Sequence, residues 1–164
     1  MSVFAERPTD VKGWDRIVFE KTTWSDVVAQ HDVKKPPERK PEQITVDMPV
    51  VHVGNIIMWA SASTGPDLKY IERVVLVDFP GNPERSAPSA SGIADFAALE
   101  ALLIEKYGHP SSEDSNFERG ANSARWTFPS ITIELEITHA TETVSSGDVI
   151  ITYRAVNKKA LGAL

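Results

Sequence analysis

One segment of the chain alternates strictly between apolar and polar residues. In Ile131–Ile137 an apolar side chain occupies every second position, and threonine or glutamate fills each position between. Successive side chains of a strand point to opposite faces of a sheet, so this segment predicts a strand with one buried and one hydrated face. A chain with such a strand must also supply an element that covers the apolar face.

A helix over residues 93–107 is the clearest candidate for that cover. Its apolar residues recur at steps of three and four and therefore share one helical face. They are Phe96, Leu99, Leu103 and Tyr107. Gly108 stands where helices commonly end on a left-handed residue, and Pro110 prevents continuation. The sequence thus predicts an amphipathic helix that ends sharply ahead of the strands.

A second, shorter helix is predicted to begin after Thr23. Thr23 and Asp26 have the spacing of a capping box, in which each side chain accepts from the backbone of the other. Pro36 and Pro37 cannot continue a helix, so we expect it to end before Lys34. The β-rich runs that complete the prediction are residues 14–20, 43–53, 56–61, 70–79, 124–128 and 149–156.

The predicted elements follow one order twice, a helix and then three strands. We therefore expect an α+β fold of two α-β-β-β units, in which each antiparallel meander is covered by one helix. Residues 1–164 are expected to form a single globular domain, with pseudo-repeated halves at about 14–79 and 91–156. A segment rich in proline, serine and glycine, residues 80–92, is the predicted linker. The pattern is compatible with two abutting sheets and with one continuous sheet.

The second half also resembles a class of known proteins. The resemblance rests on FAALEALLIEKYGHP at residues 96–110, Trp126, ITIELEI at Ile131–Ile137, and ITY at residues 151–153. This order is similar to small bacterial helix-plus-meander proteins of the outer-membrane-assembly lipoprotein and β-lactamase-inhibitor-protein type. The resemblance implies tandem helix-plus-sheet units that bind other proteins through a sheet face. The chain departs from the lipoprotein branch because it has no cysteine to carry a lipid.

Charge and composition restrict the partners. Seventeen basic and 23 acidic residues give a net charge of −6, which argues against sequence-independent binding of nucleic acid phosphates. No apolar run approaches the roughly 20 residues of a membrane helix, so no membrane insertion is expected. The first ten residues lack the apolar core of a signal peptide. The default expectation is a cytoplasmic protein, although a removed export signal would leave the same chain.

The sequence contains none of the common catalytic motifs. A nucleophile elbow, a phosphate-binding loop and a dinucleotide-binding glycine turn are all missing from it. The histidines are too far apart in sequence to form a local metal motif: His31, His52, His109 and His139. We therefore predict no metal, no cofactor and no enzymatic activity.

Two glutamates and an arginine are the first candidates for partner binding. Glu134 and Glu136 project from the polar side of one predicted strand, and Arg154 is expected across the hairpin from them. Such a row is commonly a solvated, salt-bridged surface, and paired carboxylates can also serve as acid and base. The third interpretation is an acidic surface for a basic partner.

A basic, proline-rich segment and two tryptophans are the other candidates. Residues 34–41 are either a solvated connector or a stiff basic arm that docks on an acidic protein surface. Their cations are Lys34, Lys35, Arg39 and Lys40. Trp14 and Trp24 lie outside the predicted core strands, and an exposed tryptophan commonly anchors an interface.

These observations predict a non-catalytic protein-binding module, namely an inhibitor, an immunity-type protein or an accessory subunit. One alternative is a small-ligand-binding protein or a hydrolase with a cleft between the two sheets. That cleft would be lined by Trp59, Trp126 and Tyr153, and Trp59 and Trp126 are otherwise expected to fill the core. Another alternative is a structural subunit of a viral or secretion assembly. The oligomeric state is not specified by the sequence.

Overall fold

The computed structural model describes residues 7–78, 88–116, 121–137 and 149–156. The helices in these residues are α1 (Trp24–Gln30) and α2 (Pro88–Tyr107). The strands are β1 (Gly13–Trp14), β2 (Ile17–Val18), β3 (Glu38–Lys40), β4 (Gln43–Asp47), β5 (Val51–Val53), β6 (Ile56–Thr64), β7 (Ile71–Asp78), β8 (Ser112–Asn116), β9 (Ala121–Thr127), β10 (Ile131–Ile137) and β11 (Val149–Ala155). The predicted α+β class is confirmed. No helix in these ranges is long and apolar enough to cross a membrane.

One antiparallel sheet joins the two halves of the chain. Its strand order is β3-β4-β6-β7-β11-β10-β9-β8, and β5 also pairs with β6. The halves meet where β7 pairs with β11, from Val149 opposite Asp78 to Arg154 opposite Arg73. Each of these is the last described strand of its half. The two meanders therefore share one continuous sheet, whereas β1 and β2 form a separate two-stranded ribbon.

Both helices cover the same face of this sheet. One row of registered residues crosses six strands, and every member is buried. In order across the sheet, the row is Val46, Ala62, Val74, Tyr153, Ile133 and Trp126. Val27 of α1 and Leu99 and Leu103 of α2 pack into this core. Registered residues of neighbouring strands share a face, so the core lies on one side of the whole sheet.

The start of α1 is the predicted capping box. The Thr23 hydroxyl accepts from the Asp26 backbone N–H at 3.1 Å, and the Thr23 N–H donates to the Asp26 carboxylate at 3.0 Å. These bonds hold the pKa of the Asp26 carboxyl below its usual value. The helix ends at Gln30, ahead of Lys34 as predicted.

The end of α2 is as predicted, but its start is not. Gly108 has φ +83°, the left-handed conformation expected there, and its carbonyl accepts from the indole N–H of Trp126 at 2.7 Å. The helix begins at Pro88, whereas the sequence placed a linker through residue 92. Proline is compatible with the first turn of a helix, because that turn lacks an internal partner for its N–H groups. Residues 80–87 of the predicted linker lie outside the described residues.

Other strand boundaries also differ from the prediction. The expected strand at residues 43–53 is divided into β4 and β5, with Pro49 and a one-residue register shift between them. Proline lacks the N–H that a continuous ladder requires. Residues 14–20 form the short β1–β2 ribbon instead of one strand, since Asp15 adopts φ +52° in its turn. The strands β3 and β8 were not predicted, because their residues are polar and show no alternation of apolar and polar side chains.

Candidate functional site

The face of the sheet opposite the helices is termed the open face here. Three rows of registered residues cross it on the central strands. The first row is Ser63, Arg73, Arg154, Thr132 and Thr127. The second row is Ser61, Val75, Thr152, Glu134 and Arg125. The third row is Trp59, Val77, Ile150, Glu136 and Ser123. These side chains alternate along each strand with the buried core residues.

An apolar patch occupies one end of the open face. We define it as Ile57, Trp59, Val75, Val77 and Ile150. Ile57 and Trp59 are each 54% exposed, and the other three are half-buried. The expectation that Trp59 fills the core is therefore wrong. Residues 56–60 are apolar at every position and give no alternation, and the polar positions that share the side of Trp59, Ser61 and Ser63, come only in the second half of β6.

The basic partner of Glu134 is Arg125, and not Arg154 as predicted. Arg125 of β9 donates two hydrogen bonds to Glu134, at 2.6 and 3.2 Å. Arg154 was expected across from the glutamates, but its registered neighbour on β10 is Thr132. Glu134 and Glu136 do share one side of β10, as the alternation predicted. The pair between Arg125 and Glu134 is a cross-strand ion pair on the open face.

Glu136 lies in a different electrostatic environment from Glu134. Partial burial raises the pKa of its carboxyl, and the negative charge of Glu134 raises that pKa further. Arg154 acts in the opposite direction on the same pKa. Ionised Glu136 is therefore disfavoured in the folded chain relative to a solvated glutamate.

Arg73 and Arg154 face each other across β7 and β11. Direct register places Arg73 and Arg154 side by side on the two central strands, in the row of the open face that is farthest from Trp59. Burial lowers the pKa of the Arg73 guanidinium, and the nearby Arg154 lowers it further. The Nε of Arg73 is buried, and no hydrogen-bond acceptor among the described residues reaches it. Sequence reasoning missed Arg73 because its neighbour depends on how the two halves join.

The basic segment does not form the free arm that one interpretation predicted. Glu38–Lys40 is an edge strand that pairs with β4. The guanidinium of Arg39 lies 4.9 Å from the ring centre of Trp24, and Lys40 forms an ion pair with Glu38 at 3.5 Å. Lys34 and Lys35 precede this strand and are exposed. Arg39 and Lys40 therefore belong to an edge strand of the sheet, and Lys34 and Lys35 belong to the segment that precedes it.

Trp14 and Trp24 are both half-buried against the core on the helix side of the sheet. Trp24 lies under Arg39. Trp14 instead lines a cleft over the junction of β7 and β11. Neither tryptophan shares the open face with Glu134, Glu136 and Arg154, so the structure does not bring the predicted partner-binding residues into one surface.

The cleft has a volume of about 470 Å³. Its lining includes Trp14, Leu76, Leu103, Lys106, Ile151 and Tyr153. Burial raises the pKa of the Tyr153 phenol well above its usual value, as does its hydrogen-bonded neighbour Tyr107, whose oxygen is 3.1 Å away. This position differs from the expected cleft between two sheets, because there is one main sheet. Trp126 is buried beneath α2, and Trp59 lies on the opposite face.

The described residues contain no cluster of three or more histidine, aspartate or glutamate side chains that could hold a metal ion. Comparison with protein-family models, with curated proteins and with solved structures finds no match for this chain. The open face and the cleft are therefore the two candidate sites.

The environment of Glu136 predicts how stability changes with pH. Because its pKa is raised in the folded chain, its contribution to stability is greatest at low pH. That contribution is lost as the pH rises through the folded pKa. Glu136→Gln should therefore increase the free energy of unfolding at about pH 7 and make its change from about pH 4 to about pH 7 more positive than in the wild type, measured by urea denaturation.

Glu42→Gln is the control, since Glu42 is exposed and lies in the turn between β3 and β4. It should leave the difference in stability between the two pH values as in the wild type. A Glu136→Gln protein that is less stable than the wild type at neutral pH would contradict the proposed environment.

Proposed function

We propose that the protein is a non-catalytic protein-binding module and that the open face is its binding surface. The observation that carries this proposal is the position of Trp59, which is 54% exposed next to Val77 on a sheet face that neither described helix covers. An inhibitor, an immunity-type protein or an accessory subunit would each use such a surface. The resemblance to helix-plus-meander proteins that bind through a sheet face agrees with this use.

The composition of the open face supports a protein partner. Interfaces concentrate tryptophan and arginine at their energetic centre, and polar groups surround that centre. On the open face, the apolar patch is bordered by Glu136 in its own row and by Thr152 in the next row. Arg73 and Arg154 lie beyond them. A partner that fits would present apolar side chains to the patch and acidic groups to the arginines.

The patch lies on interior strands of the sheet, which is a second argument. Val77 and Ile150 belong to β7 and β11, which are interior strands of the sheet with neighbours on both sides. Backbone hydrogen bonds hold these strands on both edges, so the surface is pre-formed. A rigid surface loses little conformational freedom on binding, which favours affinity.

Trp59→Ser should abolish capture of the partner. Tagged protein would be used to recover stoichiometric partners from the native host under gentle salt, and hydrogen exchange would then locate the contact on the isolated complex. We expect at least about tenfold weaker binding in Trp59→Ser, because an interface tryptophan commonly contributes 2 kcal/mol or more. Backbone hydrogen exchange in β6, β7 and β11 should be slower in the complex than in the free protein.

Val18→Ser is the control, since Val18 is a 36% exposed apolar residue of the β1–β2 ribbon on the helix side. It should retain the partner. Recovery of no stoichiometric partner would count against the proposal. Self-association of the pure protein that Trp59→Ser abolishes, seen by sedimentation at several concentrations, would instead favour a structural subunit.

A small-ligand-binding protein is the second candidate function, and the cleft over the β7–β11 junction favours it. Its volume of about 470 Å³ lies within the range of small-molecule sites. Its apolar lining ends at the Tyr153 phenol and Lys106, which offer polar contacts. An apolar ligand with an anionic end fits these groups.

The probe 8-anilinonaphthalene-1-sulfonate has an apolar body and an anionic end, and it tests the second candidate directly. Saturable binding should quench the fluorescence of Trp14, and Val53→Phe should weaken it because Val53 also lines the cleft. Val77→Phe makes the same kind of change on the open face and should leave binding unaltered. No binding, or equal loss in both variants, would contradict a cleft site.

A further inference from the structure

We infer that Arg73 and Arg154 together bind a carboxylate of the partner protein on the central strands of the open face. The inference rests on the proposed function, because it assigns a chemical class to the group that a partner places there. An aspartate or glutamate side chain next to apolar residues is the expected ligand.

Register brings the two guanidinium groups within reach of one ligand. Arg73 and Arg154 are direct partners across β7 and β11. Opposed residues of an antiparallel pair have Cα atoms about 4.5–5.5 Å apart, so both side chains can converge on one carboxylate. The register between β6 and β7 shifts directly before Arg73, where Glu72 is an extra residue of β7 without a registered position on β6.

The two arginines are unfavourable neighbours without a ligand. Like charges directly opposite each other destabilise a strand pair, and Arg73 also has a buried Nε without an acceptor in the described part of the chain. Burial lowers the pKa of Arg73, and the charge of Arg154 lowers it further, which is the same repulsion. A partner carboxylate that contacts the two guanidinium groups would offset both charges.

The third arginine of the open face, Arg125, differs from Arg73 and Arg154 in having an ion-pair partner among the described residues, on a neighbouring strand. Arg125 has its carboxylate within the sheet, at 2.6 Å on Glu134. No ion pair of Arg73 or Arg154 occurs among residues 7–78, 88–116, 121–137 and 149–156. The charge of Arg154 lowers the pKa of Glu136, but the two residues are not neighbours in the sheet. The neighbour of Arg154 on β10 is Thr132, and Glu136 lies four residues, or about 13 Å, further along that strand.

The surroundings favour an acidic protein segment over a polyanion such as nucleic acid. Val75 follows Arg73 on the same face, and the apolar patch continues from it to Trp59. A peptide with an acidic residue beside apolar residues would satisfy both parts of this surface. The net charge of −6 opposes the approach of a polyanion as a whole.

The first test uses the peptide acetyl-Leu-Glu-Glu-Leu-amide, its glutamine counterpart acetyl-Leu-Gln-Gln-Leu-amide, and inorganic phosphate. The arginine Nε–Hε signals of the full chain would be followed by nuclear magnetic resonance. We expect the glutamate peptide to shift the signals of Arg73 and Arg154 saturably, and the glutamine peptide to leave them in place. Equal shifts with both peptides, or tighter binding of phosphate than of the glutamate peptide, would overturn the inference.

The second test uses the variants Arg73→Gln and Arg154→Gln. Each should bind the glutamate peptide at least about tenfold more weakly, and each should raise Tm, because removing one charge relieves the repulsion. Arg16→Gln is the matched control, since Arg16 is 63% exposed in the turn of the β1–β2 ribbon. A lower Tm in Arg73→Gln and Arg154→Gln, or equal weakening in Arg16→Gln, would indicate that the arginines only support the fold.

Capture of the natural partner by the three variants tests this inference separately from the proposed function. If Trp59→Ser loses the partner while Arg73→Gln and Arg154→Gln retain it, the carboxylate site is wrong and the binding face stands. If all three variants retain the partner, both are wrong. Loss of the partner in all three, with retention in Arg16→Gln, is the expected result.

Discussion

The antiparallel pairing of β7 with β11 is the interaction on which the rest of the structure depends. In each half, the meander ends on a strand that would be an exposed edge if that half folded alone, and an exposed edge invites uncontrolled pairing with other chains. Pairing the last strand of one half with the last strand of the other protects both edges at once. It also aligns the buried rows of the two halves, so that one core extends from Val46 in β4 to Trp126 in β9.

This junction also explains where the candidate surfaces lie. On the helix side, α1 contacts β4 and β6, and α2 contacts β10 and β11. The cleft lies over the seam at Leu76 and Ile151, and its walls come from α2, β5 and the β1–β2 ribbon. On the other side, the same seam lies at the centre of the open face and brings Arg73 beside Arg154. One register therefore creates a recess on one face and places two arginines side by side on the other. Like charges directly opposed across a strand pair are unfavourable to the fold, and a cost of this kind is expected at groups that serve binding.

The elements that could be predicted are those whose signal is local. The capping box at Thr23, the helix end at Gly108 and the strand alternation of Ile131–Ile137 each depend on residues within a few positions of one another. The exposure of Trp59 was mispredicted because the first half of β6 is apolar on both sides, and the serines that mark the exposed side come only after Ala60. The pairing of Arg73 with Arg154 was not predictable, because it joins residues 81 positions apart through a register that neither strand specifies alone. For the same reason, the sequence did not show that the partner of Glu134 is Arg125 and not Arg154.

The absence of cysteine from the natural chain allows this register to be tested directly. Val75 and Thr152 are opposed on the open face at the β7–β11 junction, where cysteines would lie within the Cα separation that a disulfide requires. The Val75→Cys/Thr152→Cys protein should form an intramolecular disulfide under mild oxidation, detected by mass spectrometry of the monomer. Val75→Cys/Glu134→Cys should not, because Glu134 is one strand further away, at about 10 Å. Failure of the first pair to cross-link, or equal cross-linking of both pairs, would contradict the shared sheet and the open face built on it.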